Sequence, residues 1–370
     1  MGNNKIRVGL IGARADGTGW GSMAHVPALR NLPDFELAAV CTTSIVSARA
    51  SAERHGARLA FADPREMAAH PEIDLVAVSV RTPLHRVLIE AALAARKPVY
   101  CEWPFCRTIE DAEAMRDEAA ALGVASMVGI QSVGDPAMTW LRDAIAEGMI
   151  GQVLSAAALV STTNWGGRIA ALSTYLLENA NGATALSIPG GHTLSALRHM
   201  LGDVADVTAT IRNLRPGAIV AETGATIAKT TPDQIALTAT LASGAVVSLH
   251  VRGGMTAGGT RIEINGSIGD ILIEAPGVPG IQFGAEIVSH RRAGGAWERI
   301  SPPASYRTVP AAVPVGPAVN VAQMYAAFGA ALRLGAKPEP DFAAGVIHKR
   351  LVAAISRAAE TGQRQLVQSA

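Results

Sequence analysis

Apolar residues in the first third of the chain come in short unbroken runs, at residues 6–11, 35–40, 73–80, 98–101 and 124–130. Runs of this length read as strands buried on both faces, and the Ala, Glu and Arg-rich stretches between them carry a helical period. Strand and helix in alternation predict a parallel, doubly wound sheet with right-handed crossovers. Beyond about residue 150 the rhythm changes. Segments 153–162, 206–214, 234–251, 260–274 and 281–300 read as long strands with Ser-Gly, Asn-Gly and Gly-Asp turns, which predicts a large, mainly antiparallel or mixed sheet. Helices are expected at 136–147, 183–201 and 319–334, covering one face of that sheet, with a further helix at 342–361. The other face is left open, and an open face on a large sheet predicts a homodimer. The expected fold is α/β, with a doubly wound N-terminal domain at 1–131 and a C-terminal α+β domain with an open-faced sheet at 132–370.

Composition agrees with two cores in 370 residues: 49% of the chain is hydrophobic, 37 residues are glycine and only 4% are aromatic, as in ordinary soluble α/β proteins. Net charge is +1, and no cluster of Lys and Arg is interleaved with aromatics, so direct nucleic-acid binding is not expected. No apolar run approaches the roughly 18 residues of a membrane span, and no signal-peptide pattern precedes the first strand. Membrane contact is not expected, and the cytoplasm is the expected compartment. The three cysteines, Cys41, Cys101 and Cys106, are too few for a disulfide framework and fit a reducing environment. Cys101 and Cys106 flank a Glu-Trp-Pro segment, but no His or further Cys pair completes a metal site, so no metal is expected and the thiols read as buried.

The first candidate site is the glycine-rich turn Gly9-Leu-Ile-Gly12-Ala-Arg14-Ala-Asp-Gly17-Thr18-Gly19-Trp20-Gly21. It lies where the first strand meets the first helix, where glycines let a pyrophosphate approach backbone amides at a helix N-terminus. The spacing is looser than Gly-x-Gly-x-x-Gly, which on its own is a weak sign of a nucleotide. Four more segments join it: Ala24-His25-Val-Pro27-Ala28-Leu29, Arg81-Thr82-Pro83-Leu84-His85, Glu102-Trp103-Pro104, and Ile145-Ala-Glu-Gly148-Met-Ile150-Gly151.

In that order the segments resemble the Gfo/Idh/MocA family of nicotinamide-dependent sugar and polyol dehydrogenases, across nearly the whole chain. The resemblance implies an N-terminal Rossmann domain, a nicotinamide dinucleotide and a small, sugar-like substrate. It places Gly12, Arg14, Thr18, Gly19, Trp20, Thr42, Thr43, Arg81, Thr82, His85, Glu102, Trp103 and Gln131 at the cofactor. After the second strand an NAD-preferring enzyme carries an acid for the ribose hydroxyl, whereas this chain has Cys41-Thr42-Thr43-Ser44. Small hydroxyls with Arg14 or Arg49 in reach suit a 2′-phosphate better, so NADP(H) is expected, with NAD(H) as the other candidate.

The resemblance also exposes two departures. The family's fourth strand ends in Glu-Lys-Pro, whose lysine polarises the substrate hydroxyl; here Trp103 stands in its place, and an indole neither holds a positive charge nor transfers protons near neutral pH. The family's Asp-x-x-x-His is represented by Ile188-Pro189-Gly190-Gly191-His192, so the acid-base histidine persists and its orienting aspartate does not. Both departures, with Tyr175 to His192 and Gly253 to Asp270, are similar to the branch that contains the fungal galactose-pathway repressor. Trp103 reads either as core or as a wall of the cleft, and Trp165 and Tyr175 either as pocket or as core. For an enzyme, His192 is the expected acid or base, and Tyr175, with a phenol pKa of about 10, the expected substitute proton donor. Three functions follow: an oxidoreductase with an altered site, a non-catalytic dinucleotide-binding regulator, or a lyase or epimerase using transient oxidation.

Overall fold

The computed structural model describes residues 5–277 and 280–367. It divides into two units, Met1–Gly134 with Arg307–Val346, and Asp135–Tyr306 with Ile347–Ala370.

In the first unit the strands are β1 (Ile6–Ile11), β2 (Phe35–Cys41), β3 (Leu59–Phe61), β4 (Leu75–Val78), β5 (Val99–Glu102) and β6 (Ser126–Gly129). Among the described residues they form one parallel sheet in the order β3-β2-β1-β4-β5-β6. The order reverses between β1 and β4, which creates the crevice at the carboxyl ends of the strands where doubly wound folds bind ligands. The expected sheet gains β3, a half-buried edge strand of three residues too short to register as an apolar run. The Glu-Trp-Pro strand is therefore the fifth in the chain.

The helix Pro317–Leu334 corrects the expectation that residues 319–334 cover the C-terminal sheet. Val319, Val321, Met324, Tyr325 and Phe328 join the core of the first unit with Ile6, Val8, Phe35 and Tyr100. The fit is close: a Cβ on Gly329 would sit 2.7 Å from Phe35 Cζ, so the missing side chain is what lets the helix settle there. An apolar stripe shows that a helix is buried, not which sheet buries it.

The second unit holds β7 (Val153–Ser161), β8 (Arg168–Ile169), β9 (Val204–Arg212), β10 (Gly217–Val220), β11 (Thr226–Ala228), β12 (Gln234–Leu241), β13 (Val246–Arg252), β14 (Gly259–Gly266), β15 (Gly269–Pro276), β16 (Ile287–Arg292), β17 (Glu298–Ile300) and β18 (Gln365–Leu366). The large sheet runs β17-β16-β15-β14-β7-β13-β12-β9-β18, antiparallel except for the parallel pair β7 and β13. Segments 234–251 and 260–274 are each a hairpin, turning at Ser243-Gly244 and near Asn265-Gly266. The inner face, with Ala156, Ile235, Leu237, Leu249 and Ile264, packs on Met138 and Leu141 of helix Pro136–Ala146 and on Leu194 and Leu197 of helix Gly191–Leu201. Ala157, Thr208, Ala236, Thr238 and Ser248 alternate onto the other face and are exposed. A second sheet, β11-β10-β8, stands apart with its own core of Ile169, Leu177, Ala218 and Val220. Among the described residues no helix is long and apolar enough to cross a membrane.

Candidate functional site

In the first unit the crevice is opened by Gly12. Its φ is +106°, and a Cβ there would lie 2.0 Å from the carbonyl oxygen of Ser79, so only glycine lets the chain leave β1 between the ends of β2 and β4. The Gly12 amide donates to the Cys41 carbonyl (3.1 Å). The loop beyond it is fastened to the helix Ile45–His55, where Ser51 Oγ donates to the Ala13 carbonyl (2.8 Å) and His55 Nε2 to that of Arg14 (2.8 Å). Arg14, Thr18 and Gly19 are exposed, and Trp20 is half-buried. Arg14 is already engaged: its guanidinium pairs with Asp16 (2.5 Å), whose carboxylate also accepts from Thr18 N (2.8 Å) and Oγ1 (2.6 Å). These donors hold the Asp16 carboxyl well below the usual carboxylate range.

At the end of β2, Thr42 Oγ1 meets Ser47 Oγ (2.6 Å), Ser44 caps the helix Ile45–His55 by accepting from Ser47 N, and Thr43 is exposed. Thr42 is half-buried, Ser44 is exposed like Thr43, and Arg49 lies exposed on the same helix. At the end of β4, Arg81 is exposed while Thr82 and His85 are buried. His85 Nε2 donates to the Val80 carbonyl (3.0 Å), and burial pushes its pKa down, so this histidine is neutral and anchors the loop.

The end of β5 carries a buried polar network. Glu102 accepts from His25 Nε2 (2.7 Å) and from Gln131 Nε2. His25 Nδ1 faces the Tyr325 hydroxyl (2.8 Å), and the Tyr325 ring stacks on Tyr100 with centroids 5.1 Å apart. Burial raises both phenols well above their ordinary pKa. A carboxylate oxygen only accepts, so His25 Nε2 carries a proton toward Glu102. Trp103 follows at only 5% exposure.

The residues fit a nicotinamide dinucleotide, the cofactor this fold implies. Ser79 Oγ and Gln131 Oε1 are buried at the carboxyl ends of strands and have no hydrogen-bond partner among the described residues, which is unusual for a finished interior. On the neighbouring loops are a backbone opened at Gly12, the exposed Gly19 and the exposed hydroxyls of Thr18 and Thr43. The described residues contain no cluster of His, Cys, Asp and Glu able to hold a metal, and all three cysteines are buried and form no disulfide among the described residues.

The second unit places His192 in the first turn of helix Gly191–Leu201, directly after a π turn, Leu186–Gly190. Pro189 has no N–H to offer the Ala185 carbonyl, so Gly190 takes that bond instead (3.0 Å) and the turn widens. His192 is 3% exposed, and burial, aided by neighbouring His348, pushes its pKa down to about 3. Ile188 is half-buried against the core. Tyr175 is half-buried in the 3-10 helix Ala171–Leu177, packed on the same core. Trp165 is core: it is 3% exposed, and its Nε1 donates to the Ala183 carbonyl (3.1 Å).

Sequence reasoning assigned no site role to His25, Tyr325 or His348. His25 lay within a matched segment; Tyr325 and His348 are isolated in sequence from every motif, and no local signal marks them.

Residues 6–130 match the family model described as oxidoreductase family, NAD-binding Rossmann fold, and residues 136–275 match that for the C-terminal domain of Gal80p. The chain is 31% identical over 226 residues to dehydrogenase aclE of Aspergillus oryzae, covering 60% of this chain and 62% of that protein. It is 26% identical over 291 residues to the galactose/lactose metabolism regulatory protein GAL80 of Saccharomyces cerevisiae, covering 73% and 66%. It thus spans somewhat under two thirds of these relatives' lengths. A structure of levoglucosan dehydrogenase in complex with NADH and L-sorbose superposes with a TM-score of 0.84 over 99% of this chain and 100% of that one, at 21% identity, which establishes the shared fold.

Proposed function

This chain belongs to the Gfo/Idh/MocA oxidoreductase family and resembles its Gal80 branch, and from that premise we propose that it is a nicotinamide-dependent oxidoreductase acting on a sugar, polyol or related carbonyl compound. The observation that carries this reading is the crevice of the first unit, where Gly12 clears the backbone and the Ser79 and Gln131 side chains end in unpaired buried polar atoms. Bound there, the nicotinamide supplies hydride exchange at its C4. The hydroxyls of Thr42, Thr43 and Ser44 with Arg14 favour NADP(H) over NAD(H), since no acid stands at the end of β2 to bind a ribose diol and repel a phosphate. Glu102 and Gln131 hold the floor of the crevice, and the Trp103 indole forms an apolar wall beside it.

His192, neutral across the physiological range, accepts the carbinol proton in the oxidising direction. Tyr175 donates a hydrogen bond to the same oxygen in place of the missing lysine, and in the reducing direction the one proton returns from His192, so a single proton moves with each hydride. A sugar-like substrate is supported by relatives named as dehydrogenases and by the L-sorbose complex of levoglucosan dehydrogenase. The protein works in the cytoplasm, as its buried thiols outside any disulfide suggest, and as a homodimer through the face bearing Ala157, Thr238 and Ser248.

A second reading, a dinucleotide-binding regulator without turnover, is favoured by one observation: the positions of the family's lysine and aspartate hold Trp103 and Ile188 together. NADPH consumption over a panel of ketoses and aldehydes separates the two. Turnover that His192→Ala removes supports the enzyme. Cofactor binding without turnover over a broad panel rejects it in favour of the regulator.

A further inference from the structure

We infer that His348 is a positioning residue for His192, holding the backbone at that side chain where Ile188 offers no polar atom; the inference rests on the redox role proposed for His192. His348 lies in helix Phe342–Thr361, and its Nε2 is 2.8 Å from the carbonyl oxygen of Gly191, the residue immediately before His192. A carbonyl oxygen only accepts, so the His348 proton sits on Nε2 and its tautomer is fixed.

The grip falls where the chain most needs one. Gly191 opens its helix directly after the π turn and has no side chain to pack. The peptide joining Gly191 to His192 sets the direction of the His192 Cα–Cβ bond, so rotating that peptide swings the imidazole. Thr193 Oγ1 adds a second tie, donating to the Pro189 carbonyl (2.8 Å). Both histidines are at most 3% exposed, and burial pushes each down to about 3. His348 therefore acts as a neutral donor to the Gly191 carbonyl.

The experiment compares His348→Leu, which keeps bulk but no donor, with His348→Gln, whose amide can still reach the Gly191 carbonyl. Two readouts are taken: kcat and KM for carbonyl reduction, and the ring 15N signals of His192 in histidine-labelled protein. His348→Leu should lower kcat about tenfold to a hundredfold with KM for the nucleotide unchanged. His348→Gln should restore most of that loss, and the His192 signals should move in the Leu variant and return in the Gln variant. Wild-type kcat and unmoved His192 signals in the Leu variant would overturn the inference, as would equal losses in both variants. If the wild type shows no turnover on any substrate, the redox reading fails. The His192 signals then decide alone: movement with Leu and recovery with Gln sustains the positioning role, and their constancy removes it.

Discussion

Glu102 offers the most demanding test of the site as described. Its two carboxylate oxygens accept from His25 and Gln131, both fully buried. Glu102→Leu removes both acceptors and strands two buried donors, at about 1–3 kcal/mol each, so the variant should lose about 2–6 kcal/mol of stability. Glu102→Gln behaves differently. Its amide oxygen can accept from His25 while its NH2 turns toward Gln131, whose Oε1 has no present partner. A flip of the Gln131 amide presents that oxygen, and the unpartnered position passes from the Gln131 oxygen to its NH2, so the number of unpaired amide groups does not rise. The loss is then only that of exchanging charge-assisted bonds for neutral ones, about 1 kcal/mol. Urea unfolding at neutral pH with fitted slopes measures both variants. If Glu102→Leu costs no more than Glu102→Gln, the network does not hold these groups as described.

Gly12→Ala should abolish binding of either nucleotide, because the positive φ alone costs about 1–2 kcal/mol and the Cβ would press on the Ser79 carbonyl at 2.0 Å; fluorescence titration that finds wild-type affinity would contradict this. Arg14→Ala should weaken NADPH about tenfold while leaving NADH nearly unchanged, as loss of a charge-assisted phosphate contact requires; equal effects on both would remove Arg14 from the 2′-phosphate. His192 and His348 are held to about 3 in the folded chain, against about 6.5 unfolded. The unfolded state therefore binds protons that the folded state refuses. Their contribution is complete above about pH 6.5 and is lost progressively down to about pH 3, at about 1.4 kcal/mol per pH unit per histidine. The urea midpoint of His348→Gln should accordingly fall less between pH 7 and pH 5 than that of the wild type. Thr238→Arg, which sets a charge on the exposed sheet face, should convert a dimer to monomer in sedimentation velocity; an unchanged dimer would locate the interface elsewhere.

The sheets were legible because their signals are local. Apolar runs mark β1, β2, β4, β5 and β6, and Ser243-Gly244 turns the hairpin of β12 and β13 within a few residues. The glycine-rich loop after β1 was legible for the same reason, since Gly12 and the hydroxyls of Thr42 and Thr43 stand at strand ends that the pattern itself predicts. What stayed hidden depends on contacts distant in the chain. Tyr325 reaches His25 across 300 residues, and the Ala and Val stripe of its helix fits either sheet equally well. His348 reaches Gly191 across 157 residues, from a helix whose sequence reads only as amphipathic. Asp16 was hidden differently: its pairing with Arg14 is local, but a loop without period gives no direction for either side chain.

The central claim is that hydride moves at this site, and the most direct measurement is transfer of label from NADPH carrying deuterium at C4. Incubated with ketose and aldehyde substrates, the wild type should deliver one deuterium to the carbinol carbon of the product, detected by mass spectrometry, and His192→Ala should deliver almost none. Nucleotide bound with no deuterium in any product would contradict the account and leave a regulator that has kept the crevice and lost the chemistry.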